Sequence, residues 1–124
     1  METCQDFIKR KNKEYQKQKL IPMKDIGRQG KHVWIREAWT FMPQTGLKEK
    51  VFVFERLKRA KIEGKATHAE SVQVGDIEYR IGYYMVGKNG RANGRWIWGQ
   101  FCPMVPKDDF KKLIDLAKKD EVII

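Results

Sequence analysis

The residues of this chain best suited to chemistry lie between Tyr79 and Phe101. An aromatic run, Tyr79-Arg80-Ile81-Gly82-Tyr83-Tyr84-Met85-Val86, leads into the turn from Gly87 to Gly94 and then into Arg95-Trp96-Ile97-Trp98-Gly99-Gln100-Phe101. Lys88, Arg91 and Arg95 sit in or beside that turn, which contains no acidic residue. Flat rings stack on unpaired bases and exposed cations meet phosphates, so this composition reads as a nucleic-acid surface. The plainer reading of the same residues is a β-hairpin whose cations keep its tip solvated.

Two chemistries can be weighed within the stretch. Gly87, Gly90 and Gly94 permit backbone conformations with positive φ whose N–H groups cradle phosphates, with Lys88, Arg91 and Arg95 adding charge-assisted contacts. Their spacing fits neither the phosphate loop of nucleotide hydrolases nor a dinucleotide fingerprint, since both need a helix directly afterwards. No nucleotide cofactor is therefore expected. Trp96 and Trp98 point the same way on a strand and would form a stacking platform if exposed, or core anchors beneath the C-terminal helix if buried. Tyr84 shares its strand face with Arg80, Gly82 and Val86.

Elsewhere the reactive residues are dispersed. Cys4, His32, His68 and Cys102 lie far apart without the local pair that opens a structural zinc site, so no metal is expected, and both cysteines read as free thiols. His32 is expected at a surface or strand edge, and Cys102, just before Pro103, as a buried thiol. The string Ile62-Glu63-Gly64-Lys65 places a carboxylate near a lysine, and Glu37 or Glu55 would supply the second carboxylate of a metal-dependent nuclease. Three such residues recur by chance in a chain with 34% charged side chains, so Glu63 and Lys65 are expected to be exposed turn residues without a catalytic role.

The elements that must position these groups follow from periodicity. Residues 5 to 19 read as a polar, basic helix, stopped by Pro22, on which Phe7, Lys11 and Tyr15 share one face, within an N-terminal helix or arm that spans 1–24. Arg28 and Lys31 follow in a loop of turn formers and cations. Lys31 to Trp39, Lys50 to Leu57 and Ser71 to Val74 read as strands, followed by a long hairpin in which Ile77 to Val86 pairs with Arg95 to Phe101. Residues 106–119 form a helix opened by Asp108 and Asp109, with Phe110, Leu113, Ile114 and Ala117 as its apolar face. The expected architecture is α+β: one small basic domain over 1–124, with a curved antiparallel sheet of four to five strands within 31–101 and the two helices packed on or beside it.

Composition bounds the function. The chain has 124 residues, 41% of them hydrophobic, and 26 Lys and Arg against 16 Asp and Glu give a formal charge of +10. That balance favours a polyanionic partner. No apolar run reaches the roughly 20 residues of a membrane span, and Met1 to Leu20 lacks the apolar core of a signal peptide, so a cytoplasmic protein with no membrane partner is expected. The leading expectation is a non-catalytic nucleic-acid-binding protein that holds phosphates with Arg28, Lys31, Lys88, Arg91 and Arg95 and stacks bases on Tyr84, Trp96 or Trp98. The alternatives are an interaction or inhibitor module, phage or defence related, whose basic surface meets an acidic protein, and the nuclease.

Overall fold

Lys50-Val51-Phe52-Val53-Phe54 alternates two kinds of apolar side chain, branched and aromatic, and a strand with that pattern has two faces to bury. In the computed structural model, which describes residues 1–24, 31–63 and 73–124, this strand is the middle of a five-stranded sheet. The elements run α1 (Cys4–Lys17), β1 (Leu20–Lys24), β2 (Lys31–Pro43), β3 (Lys50–Glu63), β4 (Ile77–Val86), β5 (Trp96–Trp98) and α2 (Lys107–Lys119). Each strand pairs antiparallel with the next in sequence, and the sheet curls into a half-barrel. The fold is α+β, with a helix at each end of the chain, as the sequence predicts.

The two helices cover opposite faces of this sheet. Val51 and Val53 pack with Cys4, Phe7 and Tyr15 of α1 and with Tyr84. Phe52 and Phe54 pack with Met42, Tyr83, and Leu113 and Ala117 of α2, which Val122 joins from beyond the helix. Curling has a local cause in β2, where the register against β3 slips between Val33 and Trp34 and again between Arg36 and Ala38. Such bulges bend a strand and increase its twist. The second slip also resets the alternation, so Arg36 shares the α1 face with Trp39 and Phe41 although its parity differs.

Several expectations change. β1 is an additional strand, and Pro22 lies inside it; an edge strand tolerates proline because one side of its ladder is unpaired. β2 and β3 run on to 13 and 14 residues, and β5 is only the three residues Trp96–Trp98. Gln73 and Val74 belong to no strand, since Asp76 accepts from the Gln73 backbone in a turn; Ser71 and Val72 lie outside the described residues. His32 is buried against Arg59, whose guanidinium lies 4.3 Å from the Trp34 ring centroid. Cys102 is exposed, while Cys4 is buried and its thiol is pushed up by that burial.

The inward face of α2 is rotated from the expected one. Asp109, Leu113 and Ala117 are the buried residues, spaced i, i+4, i+8, and Phe110 is 46% exposed. Asp109 turns inward because the Thr45 backbone N–H (2.9 Å) and hydroxyl (2.5 Å) both donate to its carboxylate, which holds it below the usual carboxylate range. This clamps the β2–β3 turn to the start of α2. Leu113→Ala should therefore destabilise the fold by about 2–5 kcal/mol, and Phe110→Ala by much less, in urea denaturation; equal losses would place the buried face elsewhere. Among the described residues no helix is long and apolar enough to cross a membrane.

Candidate functional site

On the α1 face, β4 presents Arg80, Gly82, Tyr84 and Val86, and the ladder sets Trp98 of β5 opposite Tyr84. Gly82 matters here for what it lacks. A Cβ at Gly82 would stand 2.2 Å from Cη2 and 2.6 Å from Cζ2 of Trp98, so the indole lies directly on the bare backbone of β4. Tyr84 meets the ring edge-on at 5.0 Å and 76°, and the Arg80 guanidinium lies 5.0 Å from its centroid. Fixed in this way, Trp98 remains 37% exposed.

Its two aromatic neighbours do different work. Trp96 stacks on Phe7 at 4.5 Å and 15°, and its Nε1–H donates to the Glu2 carbonyl at 3.0 Å. It is half-buried and anchors α1, not the C-terminal helix as expected from the sequence. Tyr84 is buried with its ring centroid 5.1 Å from that of Phe7 at 62°, and its hydroxyl lies 2.6 Å from that of Tyr15. Of the three aromatics singled out in the sequence, Trp98 is the most exposed.

Beneath this surface lies a charged triad. Glu55 follows Val51 and Val53 onto the α1 face and is fully buried. Arg36 Nε donates to one of its oxygens at 2.7 Å, while Arg80 reaches both through Nε (3.0 Å) and Nη2 (3.1 Å). A buried carboxylate is tolerable because these partners satisfy its lone pairs. Arg36 also stacks on the Tyr15 ring at 3.4 Å and donates from Nη1 to the Gln18 carbonyl at 3.2 Å. Burial, and secondarily the Glu55 carboxylate, push the Tyr15 phenol well above its ordinary range, so it stays protonated. A cleft of about 270 Å³ opens above these groups, between β1 and the Lys11, Glu14, Tyr15 and Gln18 side of α1, with Arg36 and Tyr84 in its lining. A larger hollow of about 660 Å³ between Met1–Gln5 and Pro43–Glu49 touches none of them.

The basic tip is a folded loop. Gly87 N–H donates to the Arg95 carbonyl (2.9 Å), Gly94 N–H to Gly87 (3.0 Å), and Arg95 N–H to Ala92 (3.0 Å), around a short 3₁₀ turn at Gly90–Ala92. Gly90 and Gly94 take φ of 61° and 75°, as expected of glycine in such turns. These internal bonds consume N–H groups that a phosphate cradle would need, so the tip offers side chains instead. Lys88, Arg91 and Arg95 are all exposed, with Lys88 ion-paired to Glu49. Arg91 and Arg95 have no carboxylate partner among the described residues. Arg28 lies outside the described residues, and Lys31 is described only through its backbone pairing with Lys24 and Glu63.

The carboxylates considered for a nuclease are engaged elsewhere. Glu55 is held by two arginines and Glu37 is paired with Arg56 at 3.2 Å, while the Glu63 side chain and Lys65 fall outside the described residues. Among the described residues no three His, Cys, Asp or Glu side chains gather as a metal site. Sequence reasoning missed Arg36, the buried structural role of Glu55 and the role of Gly82. A carboxylate in phase with two buried valines was the available signal for Glu55, and the Phe7-Lys11-Tyr15 stripe for the wall of the cleft. No protein-family model matches the chain, and neither a curated protein nor a solved structure matches it significantly.

Proposed function

We propose that this protein binds single-stranded nucleic acid across the α1 face of its sheet, without catalysis. A base stacks on Trp98, and phosphates meet Arg91 and Arg95 at the adjoining tip. The observation that carries this reading is the partly exposed Trp98, its indole laid on Gly82 and flanked by the Arg80 guanidinium. A ring fixed against backbone loses little freedom when a base covers it, and stacking tolerates any base. The lysines on the outer side of α1, Lys9, Lys13 and Lys17, are exposed one turn apart with no carboxylate partner among the described residues, and they extend the positive surface.

Fluorescence anisotropy of labelled oligothymidylate over a range of salt concentrations tests this. Trp98→Ala should weaken binding by about 1–3 kcal/mol, or roughly 5- to 150-fold, with little change in the salt slope. Gly82→Ala should do the same by evicting the indole. Replacing Lys88, Arg91 and Arg95 together by alanine should instead flatten the slope of log affinity against log salt by about 1.4, at roughly 0.7 for each of the two arginine–phosphate contacts. If all three variants bind as the parent does at every salt concentration, the surface is not a nucleic-acid site and the interaction-module reading replaces it.

A further inference from the structure

We infer that the cleft between α1 and β1 is a phosphate site, placed to hold the phosphate of the nucleotide whose base lies on Trp98. This rests on the interface proposed above and adds a specific pocket to it. The cleft is open space bounded by donors. Arg36 is nearly buried and fixed at three points, by Glu55, by the Gln18 carbonyl and by the Tyr15 ring. A guanidinium carries five N–H donors, and these contacts use only Nε and one Nη1 hydrogen among the described residues. An oxyanion entering the cleft meets the remainder already oriented, which is the arrangement in which arginine binds phosphate best.

The tyrosine pair adds a second donor. With 2.6 Å between the hydroxyls, one phenol donates to the other, and the proton of the acceptor phenol is left over. Tyr15 stays protonated because of its burial and the nearby Glu55 carboxylate, so its hydrogen is kept for donation. Lys11 Nζ stands 5.0 Å from the Tyr84 ring centroid and provides the ammonium of the site. The one carboxylate in the lining, Glu14, is occupied by Lys11 at 2.9 Å and by Arg10 at 2.8 Å. Tyr84 connects the two halves of the surface: it lines the cleft, and its ring touches that of Trp98. A base on Trp98 and a phosphate in the cleft are thus separated by one side chain, the scale of a single nucleotide.

The test compares thymidine, thymidine monophosphate and inorganic phosphate, titrated into the full chain and followed by NMR of the tyrosine rings and arginine Nε–H groups. The monophosphate should bind at least about tenfold more tightly than thymidine, the worth of one charged hydrogen bond. Inorganic phosphate should shift Arg36, Tyr15 and Tyr84. Tyr84→Phe, which keeps the ring, and Lys11→Gln, which leaves Arg36 and Glu55 untouched, should each remove most of the monophosphate's advantage while leaving thymidine binding as it was. Equal affinity for thymidine and its monophosphate, or phosphate shifts confined to Arg91 and Arg95, overturns the proposal. Oligothymidylate binding that is lost in Trp98→Ala but indifferent to Lys11→Gln and Tyr84→Phe also overturns it, and leaves the stacking surface standing. Monophosphate bound in the cleft by a protein that ignores oligothymidylate supports the phosphate site and removes the nucleic-acid reading instead.

Discussion

Glu55→Ala should cost the fold about 3–5 kcal/mol, a large part of the 5–15 kcal/mol that holds a typical domain together. The carboxylate is fully buried and bonded to Arg36 and Arg80, so its removal strands a nearly buried guanidinium against the Tyr15 ring without its anion. The loss comes from the stranded charge more than from any net strength of the triad. Exchanging all three residues together, Arg36→Met, Glu55→Leu and Arg80→Met, should therefore cost much less than Glu55→Ala alone. Urea denaturation of the two variants separates these contributions, and a Glu55→Ala loss within about 1 kcal/mol of the parent contradicts the buried charge network.

Phe7→Ala should be as damaging, at about 3–5 kcal/mol, because a fully buried ring is replaced by a cavity between two others. Phe7 sits between Trp96, stacked at 4.5 Å, and Tyr84, edge-on at 5.1 Å. α1 has 14 residues, near the limit below which an isolated helix is marginal in water, so its helicity depends on this docking. Far-ultraviolet circular dichroism of Phe7→Ala should show helix lost at denaturant concentrations where the sheet persists. Ile8→Ala, at a half-buried position, should lose less, and parity between the two would mean that the docking is not centred on Phe7.

Periodicity made part of this molecule legible in advance. The Phe7-Lys11-Tyr15 stripe, the alternation that puts Arg80, Gly82 and Tyr84 together, and the common direction of Trp96 and Trp98 all follow from the geometry of one element at a time. What escaped depends on partners distant in sequence. Glu55 is a buried carboxylate only because Arg36 and Arg80, 19 and 25 residues away, converge on it. Asp109 displaces Phe110 from the inner face of α2 because Thr45, 64 residues earlier, donates to it twice. Bulges in β2 are likewise invisible to a period-two reading, although they decide which face Arg36 occupies. Gly82 reads as a weak point in a strand until the indole from the neighbouring strand is seen lying on it.

The sheet is assembled entirely from neighbours in sequence, yet the helix that covers one of its faces is fastened to the far end of the chain. Tyr15 reaches Tyr84 across 69 residues, and Glu2 receives the Trp96 N–H across 94. As ribosomes deliver the chain, α1 is made before the strands it packs on; β2 and β3 offer it Trp39, Phe41, Val51 and Val53, but Tyr84 and Trp96, which hold Phe7, come only with β4 and β5. The meander can grow hairpin by hairpin with short loop closures, whereas this last closure is long and comes late. Until then Phe7 lacks both the Trp96 ring it stacks on and the edge of Tyr84, so the apolar side of α1 and the valine face of β3 wait for their last cover in a state that favours aggregation.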